Sequence, residues 1–185
     1  MYQKSFISAL LFVLIPALGM AQDDGENLEN ENEKEKEKAS YGVEEKAEFK
    51  FLQANAKNEG VIQLETGLQY KVLTSGLGKS PVATDMVQAH YEGRLGTGEV
   101  IDSSYERGTP VTLPVGRVIP GWSEALQLMK EGDKWELYVP NALAFGERGA
   151  PPRIPPFATL IFKIELIKVL SEEERMQIES HGHAH

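Results

Sequence analysis

Between Met86 and Leu95 the chain alternates, with Val87, Ala89, Tyr91, Gly93 and Leu95 on one face and Gln88, His90, Glu92 and Arg94 on the other. A period of two predicts a half-buried antiparallel strand. The same alternation recurs where Trp135, Leu137 and Val139 interleave with Lys134 and Glu136, and where Leu160, Phe162, Ile164 and Leu166 interleave with Lys163 and Glu165. A fourth strand is expected over 68–73, with Tyr70 and Val72 opposing Gln69 and Lys71. One helix interrupts the strands. Pro120 suits a first helical turn, Trp122, Ala125, Leu126 and Met129 follow at helical spacing, and Gly132 is expected at the C-terminal cap. Antiparallel strands without crossover helices, folded over one short helix, predict an α+β layout.

Upstream the pattern changes twice. Lys4, an apolar run from Phe6 to Leu18 and the small residues around Met20 form a secretory signal pattern, with cleavage expected after Ala21. The run is shorter than the roughly 20 residues that span a bilayer, so no membrane anchor is expected. Residues 22–40 are nearly devoid of apolar side chains, and Glu33 to Lys38 alternates Glu and Lys. Such a segment buries too little surface to offset its ordering entropy, which predicts a disordered acidic tether. Across 41–59, Val43, Ala47, Phe51 and Ala54 recur at helical spacing, with Phe49, Leu52 and Ala56 alongside, before Gly60 ends the pattern. This predicts an amphipathic helix that packs on the main domain, 60–170, or on a second copy of itself. Residues 171–185 are read as a tail carrying His181, His183 and His185.

Composition removes whole classes of chemistry. With 19 Lys and Arg against 28 Asp and Glu the formal charge is −9, which argues against a sequence-independent grip on nucleic acid or anionic lipid. No cysteine is present, so disulfides, thiol nucleophiles and thiolate metal sites are excluded. The stretch Gly78-Lys79-Ser80 lacks the earlier glycine of a phosphate loop and runs into Pro81, not into a helix. Neither a GxSxG elbow nor an HExxH pair occurs. His90 is assigned to the solvent face of its strand, and a tail of histidines without supporting groups is a poor selective metal site. No metal and no cofactor are expected.

What remains is an inward-facing aromatic set, Tyr91, Trp122, Phe145 and Phe162, whose default reading is simply core. The local sequence changes that weighting. Val87 to Gly93 is followed by Ile101-Asp102-Ser103-Ser104, Val118-Ile119-Pro120-Gly121-Trp122, Ala144-Phe145-Gly146 and the run from Ile154 to Phe162. In order and spacing these motifs resemble the FKBP-type peptidyl-prolyl cis-trans isomerases over about Thr66 to Val169. The flanking Phe51 to Lys57 and Gly67 to Val72 resemble the bacterial envelope subgroup typified by macrophage infectivity potentiator.

The resemblance implies a half-barrel sheet wrapped around the Trp122 helix, with the substrate proline held between helix and sheet. It assigns catalytic positions to Tyr91, Asp102, Ile119, Trp122, Phe145 and Phe162, and substrate-binding positions to Ile101, Arg107, Val111, Val118 and Ile154. Trp122 would form the floor, Asp102 would pair with Arg107, and the Ile119 N–H would meet a substrate carbonyl. Three positions depart from the family: Phe145 stands where tyrosine is usual, Ile101 where phenylalanine is common, and Arg153 lies near the pocket mouth. The partners implied are proline-containing unfolded or partly folded polypeptides, with macrolides such as tacrolimus or rapamycin as inhibitors. The subgroup's long N-terminal dimerisation region is not expected here, leaving a monomer or a weak dimer through the 41–59 helix. An exported isomerase acting on envelope proteins is the leading reading, with the periplasm ranked ahead of secretion. A holdase that binds proline-containing chains with weak turnover is the alternative, and a metal-handling envelope protein using the histidine tail ranks third.

Overall fold

A computed structural model describes residues 42, 43 and 45–181. The signal pattern, the whole 22–40 tether, His183, His185 and the side chain of His181 lie outside what is described. The described residues fall within one compact unit, 38–185.

Seven strands form one antiparallel sheet: β1 (Val61–Gln63), β2 (Gln69–Thr74), β3 (Met86–Leu95), β4 (Val100–Ser103), β5 (Val111–Pro114), β6 (Lys134–Val139) and β7 (Leu160–Val169). Their order is β1-β2-β6-β7-β3-β4, and β5 also pairs with β3. One edge of β3 is therefore shared. Met86 to Ala89 pair with β5, Glu92 to Arg94 pair with β4, and the other edge runs along β7 from Val87 to Leu95. Among the described residues three α-helices accompany the sheet: α1 (45–55), α2 (Pro120–Leu128) and α3 (Glu172–His181).

The long strands follow the alternation read from the sequence. Val87, Ala89, Leu137, Val139, Leu160, Ile164 and Leu166 are fully buried, and α2 packs Trp122, Ala125 and Leu126 into the same core. Helix and sheet approach closely at Gly121, where an added Cβ would lie 2.5 Å from Val139 Cγ1. The α+β architecture expected from the pattern is the one observed. β1, β4 and β5 span only 3, 4 and 4 residues, too few for a period of two to be legible.

Four local expectations are corrected. First, α2 ends at Leu128 with Met129 as its cap, whose N–H donates to the Ala125 carbonyl. Gly132, at φ +91°, instead belongs to a turn closed by the Asp133 N–H on the Lys130 carbonyl, 2.8 Å, while the Asp133 carboxylate accepts from the Lys130 N–H at 2.7 Å. Second, Tyr70 packs against the core as expected, but Gln69 is buried and Val72 exposed, Gln69 because α1 covers the outer face of β2. Gln69 donates to the Leu52 carbonyl and accepts from Asn55 Nδ2, each at 2.9 Å.

Third, α1 docks through a different stripe. Glu48, Phe51, Leu52 and Asn55 face the sheet, while Val43, Ala47 and Ala54 are exposed. Polar anchors select that face: the Thr159 N–H donates to Glu48 at 2.8 Å, and Phe51 lies 6.3 Å from the Tyr138 ring. Fourth, part of the expected C-terminal tail is helix α3. Ser171 and Glu174 form a reciprocal cap, with the Ser171 N–H donating to Glu174 at 2.9 Å and the Glu174 N–H to Ser171 Oγ at 3.3 Å. Ser-x-x-Glu was legible in the sequence as a helix start. The Lys168 ammonium, then the Ser171 backbone, holds the Glu174 carboxyl down at about 2.

Candidate active site

The concave face between α2 and the forked edge of β3 encloses a cavity of about 450 Å³. β3 contributes Tyr91, β4 contributes Ile101 and Asp102, and β5 contributes Val111 and Leu113. The segment entering α2 brings Arg117, Val118, Ile119 and Trp122, and Phe145, Ile154 and Phe162 close the remaining wall. Ten of the eleven side chains singled out from the sequence thus share one cavity. The eleventh, Arg107, lies just outside and fastens the wall. Leu113 and Arg117 were not foreseen: β5 is too short for its inward face to be read, and arginine carries no apolar signal.

Trp122 is 5% exposed and forms the floor, with the Tyr91 and Phe162 rings meeting it edge-on at centroid distances of 5.2 and 5.1 Å. Edge-to-face contact aligns the positive ring edge with the negative face of its neighbour, so the three rings hold each other in place. Gly93 makes this possible. It pairs with Phe162 on β7 and with Asp102 on β4, and an added Cβ would stand 2.8 Å from the Phe162 ring. Phe145 is 41% exposed and sits on the rim. Arg153 donates to the Ile101 carbonyl at 3.4 Å, bracing β4 from outside.

Tyr91, Asp102 and Arg107 form a closed triangle. The Tyr91 hydroxyl donates to Asp102 Oδ2, Arg107 Nη1 bonds Asp102 Oδ1, and Arg107 Nη2 donates to the Tyr91 hydroxyl at 3.1 Å. Arg107 also lies over the Tyr91 ring, 5.5 Å from its centroid. Burial pushes Asp102 up, but the hydrogen bonds from Tyr91 and Arg107 and the arginine charge outweigh it and leave the carboxyl below its ordinary value. Burial, reinforced by Asp102, raises the Tyr91 phenol above its ordinary 10.0. The two shifts lead away from neutrality in opposite directions.

On the outer face, His90 is not simply solvent-facing as the alternation implied. It stacks on Tyr105 at 4.6 Å, and its Nδ1 lies 2.9 Å from Ser104 Oγ, which in turn accepts from the Tyr91 N–H at 2.7 Å. Ser104 thereby completes the backbone pairing of Tyr91 in the gap between β4 and β5. At the start of α2, Ile119 is the N-cap, its carbonyl accepting from the Trp122 N–H at 3.0 Å. Its own N–H has no partner among the described residues.

A second groove of about 440 Å³ runs between α1 and the loop after β6, rimmed by Glu45, Lys46 and Glu48. It lies outside the sheet, and its one aromatic lining residue, Phe49, is largely exposed. Among the described residues no cluster of His, Asp and Glu could hold a metal ion.

The sequence profile of FKBP-type peptidyl-prolyl cis-trans isomerases matches residues 78–167, the part of the chain that builds the cavity. That of the domain amino-terminal to such isomerases matches residues 17–72. An FKBP-type 22 kDa peptidyl-prolyl cis-trans isomerase of Escherichia coli K12 is 54% identical over 121 residues, which are 65% of this chain and 59% of the relative. A peptidyl-prolyl cis-trans isomerase Mip of Coxiella burnetii is 56% identical over 119 residues, 64% of this chain and 52% of the relative. The matched span is thus between half and three fifths of the length of these relatives. A crystal structure of a peptidyl-prolyl cis-trans isomerase from Pseudomonas syringae superposes with a TM-score of 0.67 at 38% identity, covering 70% of this chain and 96% of that one. FkpA from Escherichia coli superposes with a TM-score of 0.71 at 35% identity, covering 81% and 73%. Likeness in sequence and fold meets on the segments that bring Tyr91, Trp122 and Phe162 together, and by it the chain belongs to the FKBP-type peptidyl-prolyl cis-trans isomerase family.

Proposed function

We propose that this protein accelerates cis-trans rotation about Xaa-Pro bonds in unfolded or partly folded polypeptides, and that Tyr91, Ile101, Asp102, Val111, Val118, Ile119, Trp122, Phe145, Ile154 and Phe162 hold the substrate while Arg107 braces the wall. The observation that carries it is the apolar, aromatic-floored cavity whose acid and phenol are locked in fixed charge states. Amide resonance sets a rotation barrier of roughly 18 to 20 kcal/mol, and no bond needs to break to cross it. Twisting the imide removes charge separation that water stabilises, so an apolar wall favours the twisted form over the planar one. Each roughly 1.4 kcal/mol of that preference is worth tenfold in rate. The unpartnered Ile119 N–H is placed to donate to a carbonyl of the bound chain.

The signal pattern supports export, and relatives named outer membrane protein MIP and FkpA support the bacterial envelope, with the periplasm as the compartment. Among the described residues no helix is long and apolar enough to cross a membrane. The test is a protease-coupled assay on Xaa-Pro tetrapeptides. Acceleration well above the uncatalysed rate, blocked by tacrolimus or rapamycin, is expected; binding of proline peptides without acceleration would favour a holdase.

The rate is expected to stay flat between about pH 6 and 9, because no wall residue changes charge there. At the acid end the sign follows from the depressed Asp102: its contacts stabilise the fold above the ordinary carboxylate value of 3.8 and are lost as pH falls through its own lower value. A bell-shaped profile centred near neutrality in the folded enzyme would reinstate proton transfer.

Phe145 keeps an aromatic ring on the rim without a hydroxyl donor. Since one neutral hydrogen bond contributes roughly 0.5 to 1.5 kcal/mol, Phe145→Tyr should tighten macrolide binding severalfold and raise kcat/KM on a Leu-Pro or Phe-Pro peptide by less. If neither moves beyond error, Phe145 serves packing alone.

A further inference from the structure

Arg117 stands on a rim shared by two cavities. On one side is the apolar site; on the other is a polar cleft of about 440 Å³ whose walls include Thr84, Pro114, Gly116 and, from α3, Arg175. Among the described residues the two arginines are the only charged ones on the cleft walls. In a chain of net charge −9 that is a local inversion of sign.

Neither guanidinium is committed elsewhere. The ion pairs among the described residues join Arg94 to Glu92, Arg107 to Asp102, Lys134 to Glu165 and Lys168 to Glu174, leaving Arg117 and Arg175 out. Arg175 Nε is buried without a hydrogen-bond partner, a costly state that an anion in the cleft would relieve. The frame around it is firm. A Cβ on Gly116 would stand 2.7 Å from the Ala83 carbonyl oxygen, so the two walls touch through their main chains, and the Ser171–Glu174 cap fixes the first turn of α3, which carries Arg175. A guanidinium accepts a carboxylate through two parallel hydrogen bonds, so two of them facing one cleft select a planar anion.

We propose that this cleft receives an acidic side chain of the same client whose proline occupies the apolar cavity, so that the protein favours Xaa-Pro bonds flanked by Asp or Glu. The inference rests on the isomerase reading above. Because Arg117 borders both cavities, and extended chain advances about 3.3 Å per residue, the acid falls within roughly two to four residues of the proline. α3 lies beyond the segment that carries the isomerase profile, so this preference comes from an element added to the family's barrel.

The test compares Xaa-Pro peptides with Glu or Gln placed at each of four positions on either side of the proline, using the full chain. At one position the Glu peptide should show a kcat/KM roughly three- to tenfold higher at low salt, the scale of two partly exposed ion pairs. The advantage should vanish near 0.5 M NaCl, where screening acts within a few ångströms. Arg175→Gln should abolish it while leaving the Gln peptide's rate unchanged, and Arg175→Glu should favour a Lys peptide instead. Equal rates for Glu and Gln peptides at every position, or an advantage that survives Arg175→Glu, would overturn the proposal. So would tight binding of inorganic phosphate or of phosphatidylglycerol vesicles through these arginines with no discrimination between peptides. If either variant fails to fold, the salt titration of the unaltered protein decides the matter. If no peptide is isomerised at all, the isomerase reading fails, and anisotropy of labelled Glu and Gln peptides still decides the cleft.

Discussion

Trp122→Ala is expected to lower stability by about 3 to 5 kcal/mol and to reduce proline isomerisation close to the uncatalysed rate. The ring is 5% exposed, so its removal leaves a void in the core as well as in the site. The Tyr91 and Phe162 rings, each packed edge-on against it at just over 5 Å, lose the surface that orients them and tilt into the gap. Denaturant titration and kcat/KM measured together should therefore fall together. Trp122→Phe separates the two losses: the indole N–H has no hydrogen-bond partner among the described residues, so phenylalanine forfeits volume but no bond. That variant should fold, with stability between the two extremes and reduced activity. Full turnover in either folded variant would mean that the proline does not rest on Trp122.

Gly93→Ala is the second large effect, and it arises from too much matter in place of too little. The new methyl would stand 2.8 and 3.1 Å from two Phe162 ring carbons and 3.4 Å from Ile101 Cγ1, and Phe162, 6% exposed and backed by Trp122, has no room to withdraw. Overpacking of this kind costs about 1 to 3 kcal/mol. The ring or β4 must shift, and either movement deforms the cavity wall. A loss of roughly tenfold or more in kcat/KM, the equivalent of about 1.4 kcal/mol in the barrier, should accompany a lowered denaturation midpoint. Unchanged kinetics on Phe-Pro peptides would place the substrate away from the Phe162 wall.

Both predictions depend on strands whose faces were readable in advance, and the contrast with the rest of the molecule has a physical basis. β3 and β7 span 10 residues each and β6 spans 6, long enough for burial on one side to impress a period of two on the residues. That is why Tyr91, Trp135 and Phe162 could be assigned inward from alternation alone. β4 and β5, with 4 residues each, left no such record, and Asp102 was reached through resemblance. Arg107 was likewise named from resemblance, but its place outside the cavity, fastening Tyr91 and Asp102 together, depends on the turn after β4.

The apolar stripe of α1 was the least reliable guide. Val43, Ala47 and Ala54 recur at helical spacing yet face away from the sheet. The docking face is set by Glu48 and Asn55 reaching the Thr159 N–H and the Gln69 amide, and hydrophobic period cannot register hydrogen bonds between segments 14 to 111 residues apart. Gln69 was misplaced for the same reason.

The sequence by itself determined the fold class, the inward faces of the long strands and the core side of α2, because burial selects residue type locally and at fixed period, whereas the gathering of the aromatic residues around a cavity was implied by resemblance. Only the tertiary structure decided which edge of β3 each short strand takes, that Gly93 leaves the room in which the Phe162 ring sits edge-on to Trp122, and that Arg117 and Arg175 share a cleft. Those outcomes turn on contacts between segments distant in the chain, where the relevant quantity is a distance in space, and no local pattern of residue types encodes it.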